Sequence, residues 1–240
     1  MDRQIVLISG CSSGIGLATA VFLAKDAQKR FKVYATMRNL EKKGQLEEEG
    51  KEYLGDTLVI KAMDVSNDES VQKTVEEVLD TEGRIDVLCK YRRSCCKILF
   101  VSYQAVWPGF ICSLQLIKKL KVVHSDVMYG CTILEPGPTQ TLGPENGTAF
   151  VNKFSLSDAD QKSQELLGTF AGRMFSMFGS TMQTSHQVAE YVKNIILCEK
   201  PQLRYQTNEK YRPEEIKVKL ADPTGNTLVE MIKRDFLDTE

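Results

Sequence analysis

Apolar and polar positions switch between strand and helix periods in a regular order over the first 88 residues. Ile5 to Ile8 is a short, wholly apolar run that predicts a buried strand. Gly16 to Lys25 follows at helical spacing, with Leu17, Ala20, Val21 and Ala24 on one stripe. Lys32 to Thr36 predicts a second strand, the charged stretch Glu41 to Glu52 a solvated helix, and Leu58 to Ala62 a third strand. Asp68 to Asp80 predicts a helix with Val71, Val75, Val78 and Leu79 inward, and Ile85 to Leu88 a fourth strand. Such a β-α-β-α-β-α-β series implies a parallel sheet with helices on both faces.

After Leu88 the pattern weakens. Residues 89 to 131 hold one strand-like run (Ile98 to Val101), one apolar-basic stretch (Phe110 to Val123), five of the seven Cys and the only Trp. Regularity returns at Cys131 to Leu134, a strand that runs into EPGP. A Gly/Ser/Thr-rich, Met/Phe-containing region spans Gly143 to Thr184, and Gln187 to Cys198 predicts a helix with Val188, Tyr191, Val192, Ile195 and Ile196 inward. The tail from Lys200 is polar, with a turn at DPTGN. The fold expected is α/β: a Rossmann-type, doubly wound parallel sheet, irregular or incomplete after the fourth strand. One domain over 1–240 is expected, made of an intact nucleotide-binding half (1–88), an aberrant segment (89–131) and a C-terminal half (132–240).

The sharpest chemical signal is IVLISGCSSGIG at positions 5 to 16. Gly10, Gly14 and Gly16 fall at the strand-to-helix turn, where backbone must approach a pyrophosphate closely. Ser12, Ser13 and Ile15 complete that loop, and the helix behind it offers free N–H groups and a positive dipole end. A glycine trio alone is weak evidence; one that follows an apolar strand and opens a helix is strong. An NAD site usually carries an acid after the second strand to bond the ribose 2′-hydroxyl. This chain reads ATMRNL there, with Arg38 and no carboxylate before Glu41. A guanidinium suits a 2′-phosphate, and the Ser12 hydroxyl could assist, so NADP(H) is the cofactor expected.

The spacing G-x-x-x-G-x-G resembles the short-chain dehydrogenase/reductase fingerprint. Further matches are MDV at 63–65, IDVL at 85–88 and ILEPGPTQT at 133–141. The resemblance implies that Asp64, beside Val65, bonds the adenine amino group, and that Pro136 and Gly137 belong to the nicotinamide-side loop. ISGCSSGIGLA, VYATMRNL, GRIDVL, LEPGP, KPQLRYQTN and LADPTGN resemble the 17β-hydroxysteroid dehydrogenase type 1 and photoreceptor-type retinol dehydrogenase branch. That likeness covers 3–88 well, 131–141 and 186–237 fairly, and fails between. It implies oxidoreduction at a hydroxyl or keto group of a small apolar substrate, a steroid or a retinoid.

The family's catalytic set is a Tyr, a Lys four residues on and a Ser. Tyr34, Tyr53, Tyr91, Tyr103, Tyr129, Tyr191, Tyr205 and Tyr211 all lack that Lys. Cys89–Lys90–Tyr91 replaces the family's Asn-Ala-Gly turn, and the stretch from the fourth strand to EPGP is about half the family's length. A partial alignment would make Ser102 the catalytic Ser and Lys119 the Lys, but Gln115 then stands where Tyr is needed. No catalytic residue is therefore assigned, and weak or absent turnover is expected. Two other readings stay open: a catalytically dead nucleotide-binding paralogue, and an incomplete or misassembled transcript across 89–131.

Charge changes little in this picture. Thirty-one Lys and Arg balance 32 Asp and Glu at a net charge of −1, without a basic stripe, so no nucleic-acid partner is expected. The cysteines, including Cys89, Cys95, Cys96 and Cys112, lack C-x-x-C pairs and nearby His, which argues against a metal site and for free thiols. MDRQIVLISG enters a strand at once, leaving no room for a targeting segment, and no apolar run is long enough to span a bilayer; a cytoplasmic protein is expected. KYRR, Lys97 and Lys118–Lys119–Lys121 read as surface charge, His186 as a cap neighbour, and His124 has no assignable role. Met174, Phe175, Met177, Phe178 and Met182 read as core, or by resemblance as cover for an apolar substrate. A homodimer is the family's usual assembly, but its helices come from the aberrant middle.

Overall fold

The apolar run at Ile5 to Ile8 forms strand β1 (Gln4–Ser9), which buries both of its faces. The computed structural model describes residues 2–91, 98–102, 130–140, 160–211, 213–222 and 224–236. Two compact units emerge, Met1–Pro136 with Thr184–Thr207 and Gly137–Gln183 with Asn208–Glu240.

In the first unit, α1 (Gly14–Ala24), β2 (Phe31–Met37), α2 (Gly44–Glu49), β3 (Leu58–Ala62), α3 (Asp68–Glu82) and β4 (Val87–Tyr91) follow β1. Pairing of β1 with β2, β2 with β3 and β1 with β4 is parallel throughout. Strand alternation sends Val6 and Ile8 to one face, against Leu17, Val21 and Ala24 of α1 and Val188, Val192 and Ile195 of a later helix. Ile5, Leu7 and Tyr34 face the other way, against Val71, Val75 and Val78 of α3. This is the doubly wound, Rossmann-like arrangement that the periodicity predicts. Asn67 starts α3 by accepting the Ser70 N–H at 3.0 Å, and Gly83 ends it at φ +75°. The expected helix over 41–52 is instead two 3-10 turns (Leu40–Lys42, Lys51–Tyr53) around α2, with Gly44 and Gly50 at the breaks.

Beyond β4 the sheet departs from the parallel plan. Its seven strands run in the order β3-β2-β1-β4-β5-β6-β9, with β5 (Ile98–Ser102), β6 (Gly130–Glu135) and β9 (Arg204–Gln206). Strand β5 is antiparallel to both β4 and β6, whereas β6 and β9 pair in parallel. The cause is chain length. Only residues 92–97 separate β4 from β5, and a parallel return needs roughly a dozen residues or more. Strand β4 also begins and ends later than the expected Ile85 to Leu88, running through Cys89–Lys90–Tyr91.

The second unit holds β7 (Thr139–Gln140), α4 (Gln161–Thr181), α6 (Pro213–Ala221) and α7 (Asn226–Phe236). The pair β7 and β8 (Gln183–Thr184) makes a separate two-stranded sheet, and α5 (Ser185–Ile196) returns to the first unit, its Thr184–Gln187 capping box intact. Helix α4 was not legible in the Gly/Ser/Thr-rich region, because Gly168, Gly172 and Gly179 lower its propensity. The polar tail likewise contains a strand and two helices. Asp222 organises the turn between those helices, accepting the N–H groups of Thr224 and Thr227 at 2.8 Å each, and Gly225 follows at φ +77°.

Candidate cofactor-binding site

Strand β1 ends at Ser9, and the chain then turns sharply through Gly10 at φ +76° and Gly14 at φ +63°, conformations that favour glycine. The loop is tied to β2: Cys11 N–H donates to the Thr36 carbonyl at 2.9 Å, and the Thr36 hydroxyl donates to the Ile8 carbonyl at 2.9 Å. Gly16 is the tightest point. A Cβ there would lie 2.4 Å from the Gly10 carbonyl oxygen, so any side chain would push the helix off the loop. Ser12, Ser13, Gly14 and Ile15 are half-buried along the same turn, while Gly16 is buried.

Helix α1 starts without a side-chain cap. Ser13 stands at the N-cap in extended conformation (φ −169°), its hydroxyl makes no capping bond, and the first turn carries no acid. The helix end thus keeps its amide groups and partial positive charge for an anion.

Arg38 and Asp64 follow the carboxyl ends of β2 and β3. Arg38 is exposed and makes no hydrogen bond or ion pair with another described residue. Glu41, the first downstream acid, turns instead to Asn39, accepting its amide at 3.1 Å. Asp64 Oδ1 accepts the Ser66 hydroxyl at 2.6 Å and the Ser66 N–H at 2.9 Å. Those bonds, with a smaller contribution from the positive charge of Arg38, hold the Asp64 carboxyl below the usual carboxylate range. The two residues therefore share one electrostatic neighbourhood. Val65 beside them is 40% exposed, an apolar surface at the same strand end. Pro136 is buried in the first unit; Gly137, in the second, packs so tightly on Asn208 that a Cβ would come within 2.9 Å of its side chain.

Ser102 does not lie with the loop. The antiparallel register sets it opposite Val87, at the starting end of β4, whereas the glycine loop follows the finishing end of β1. At about 3.3 Å per residue, most of a strand length separates it from the ligand edge of a parallel sheet. Lys119 and Gln115, with Cys95, Cys96, Cys112, His124 and the 110–123 stretch, lie outside the described residues. His186 packs edge-on against Phe22, ring centroids 5.1 Å apart.

Tyr91 is the site residue that sequence reasoning missed. Its N–H donates to Ser9 Oγ at 3.3 Å and its hydroxyl sits 2.7 Å from Thr19 Oγ1, so it touches both flanks of the glycine loop. The signal lies in Cys89–Lys90–Tyr91, where the sequence by itself shows only that the Asn-Ala-Gly turn is replaced.

The short chain dehydrogenase model matches residues 4–90. Retinol dehydrogenase 8 of Homo sapiens is 29% identical over 285 aligned positions, covering 96% of this chain and 89% of that protein. For 17-beta-hydroxysteroid dehydrogenase type 1 of Homo sapiens the figures are 28% over 293 positions, 98% and 86%. Both alignments are longer than the 240 residues of this chain, so each relative carries stretches with no counterpart here. Estradiol 17-beta-dehydrogenase 1 of Rattus norvegicus is 48% identical over 90 residues, 37% of this chain and 26% of that protein. Residues 4–90 are thus similar to the short chain dehydrogenase family, and the relatives they resemble are named for retinol and estradiol dehydrogenases.

Proposed function

We propose that this chain binds NADP(H) in the β1–α1 loop and descends from an oxidoreductase of a steroid or retinoid hydroxyl, with little or no turnover of its own. The observation that carries the cofactor reading is the contact of Gly16 with the Gly10 carbonyl, which leaves room for backbone and nothing else. Gly10 and Gly14 shape the cradle, and Ser12, Ser13, Ile15 and Gly16 line it. The uncapped start of α1 holds the pyrophosphate. Arg38 receives the 2′-phosphate, and Asp64 with Val65 takes the adenine edge and face. Pro136 and Gly137 are assigned to the nicotinamide side by resemblance. A bound nicotinamide would supply hydride transfer to or from the substrate carbon.

The substrate class rests on relatives named for retinol and estradiol. The reading of weak turnover rests on the sequence, which holds no Tyr with a Lys four positions on, and on Ser102, whose register sets it away from the loop. A nucleotide-binding paralogue without catalysis is favoured by the same two observations. Titration of the purified chain with NADPH and with NADH, by calorimetry, tests the cofactor assignment. Tighter NADPH binding is expected; equal or tighter NADH binding would remove the role given to Arg38.

A further inference from the structure

Thr19 Oγ1 makes two short contacts but owns one proton. It donates to the Ile15 carbonyl at 2.8 Å, so in its 2.7 Å bond with Tyr91 the phenol must be the donor. Tyr91 therefore gives its hydroxyl proton to the second turn of α1 and its backbone proton to Ser9 at the end of β1. Its Cβ lies 3.5 Å from where a Gly10 Cβ would be, an ordinary contact that rests the loop on the tyrosine without crowding it. Ser9 and Thr19 are buried, so neither bond has water as a ready substitute. Tyr91 itself is held in the ladder by pairing with Ile98 of the antiparallel hairpin.

We infer that Tyr91 is a positioning residue for the pyrophosphate cradle: it fastens both flanks of the glycine loop to β4 and keeps the loop in its binding shape. This rests on the reading of that loop as a dinucleotide site. Tyr91 stands where the family resemblance expects an Asn-Ala-Gly turn, and its phenol and backbone N–H hold the loop here. Tyr91 touches no cofactor atom in this scheme. Its effect should therefore fall on ligands that need the pyrophosphate cradle and spare those that do not.

Two ligands separate the cases. NADPH uses the cradle and Arg38, whereas adenosine 2′-monophosphate carries the 2′-phosphate without a pyrophosphate. Calorimetric titration of the full chain with each is expected to show Tyr91→Phe weakening NADPH about five- to tenfold, the scale of one lost hydrogen bond. Adenosine 2′-monophosphate affinity should stay within about twofold, far below that loss. Thr19→Val strips the same bond from the helix side, together with the Thr19 bond to the Ile15 carbonyl, and should weaken NADPH at least as much as Tyr91→Phe, which keeps the test available if one variant does not fold. Thr19→Ser keeps the hydroxyl and should bind as the wild type does, and the Tyr91→Phe/Thr19→Val pair should lose no more than Thr19→Val alone. Unchanged NADPH affinity in Tyr91→Phe and Thr19→Val would overturn the inference. So would a proportionate loss for both ligands, which signals general loosening. A wild-type chain that binds neither ligand would instead remove the cofactor reading, and this inference with it.

Discussion

Replacing Gly16 by Ala puts a methyl group 2.4 Å from the Gly10 carbonyl oxygen, a backbone atom that cannot swing aside. The expected cost is about 1–3 kcal/mol, as for other overpacked sites, read as a lower urea midpoint, together with loss of measurable NADPH binding. An unchanged midpoint and affinity would mean that the loop relaxes freely. Arg38→Asp replaces the partner of a 2′-phosphate with a like charge. Charged hydrogen bonds contribute roughly 1.5–3 kcal/mol, so NADPH affinity should fall about 10- to 100-fold. NADH should then bind better than NADPH; retained NADPH preference would contradict the assignment. Gly10, Gly14 and Gly16 were legible in the sequence because their demands are local: a turn, a positive φ and a close approach, all within seven residues. Tyr91 was not, because its partner Thr19 stands 72 positions away and only the β1–β4 pairing brings them together.

Between elements, Asp26 joins the end of α1 to α5. Its side chain is 2% exposed and is held by Arg30 at 2.6 Å and by Lys193 at 2.6 Å. The hydrogen bonds from Arg30, then that from Lys193, keep its carboxyl well below the usual carboxylate range against the opposing effect of burial. A carboxyl lowered in the folded state stabilises the fold above its unfolded pKa, near ~3.9, and that contribution drains away as pH falls from about 4 toward the folded value. Asp26→Asn should cost stability at neutral pH, toward the low end of about 3–5 kcal/mol because both cations stay partly hydrated, and should flatten the acid limb of the urea midpoint against pH. A variant with the wild-type acid limb would refute this role. Burial also pushes the Cys11 thiol up to about 12 and the Cys89 thiol well above its usual range, so both stay protonated near neutrality. Iodoacetamide should label exposed Cys198 in the native chain and reach Cys11 and Cys89 only after unfolding. Rapid native labelling of Cys89 would mean that the sheet opens at β4, and of Cys11 that the glycine loop opens from β2. Strands β1 to β3 and helix α3 could be read in advance because periodicity and capping residues specify them. The direction of β5 could not, since its cause is the length of the link before it.

At the level of the whole molecule, a Rossmann-like parallel half, β1 to β4, is followed by an antiparallel β5 in place of a parallel continuation. General acid–base assistance is worth roughly 10²–10⁴-fold in rate, and no Tyr/Lys pair at the family spacing supplies it here. Binding without turnover is thus the expected behaviour. The most direct test mixes purified protein with NADPH, adds estrone or all-trans-retinal, and follows nicotinamide fluorescence beside an intact relative. The fluorescence should change when NADPH binds and then hold steady, with cofactor consumption at least 10²-fold slower than in the relative. Consumption within tenfold of the relative, or no fluorescence change on mixing, would contradict it.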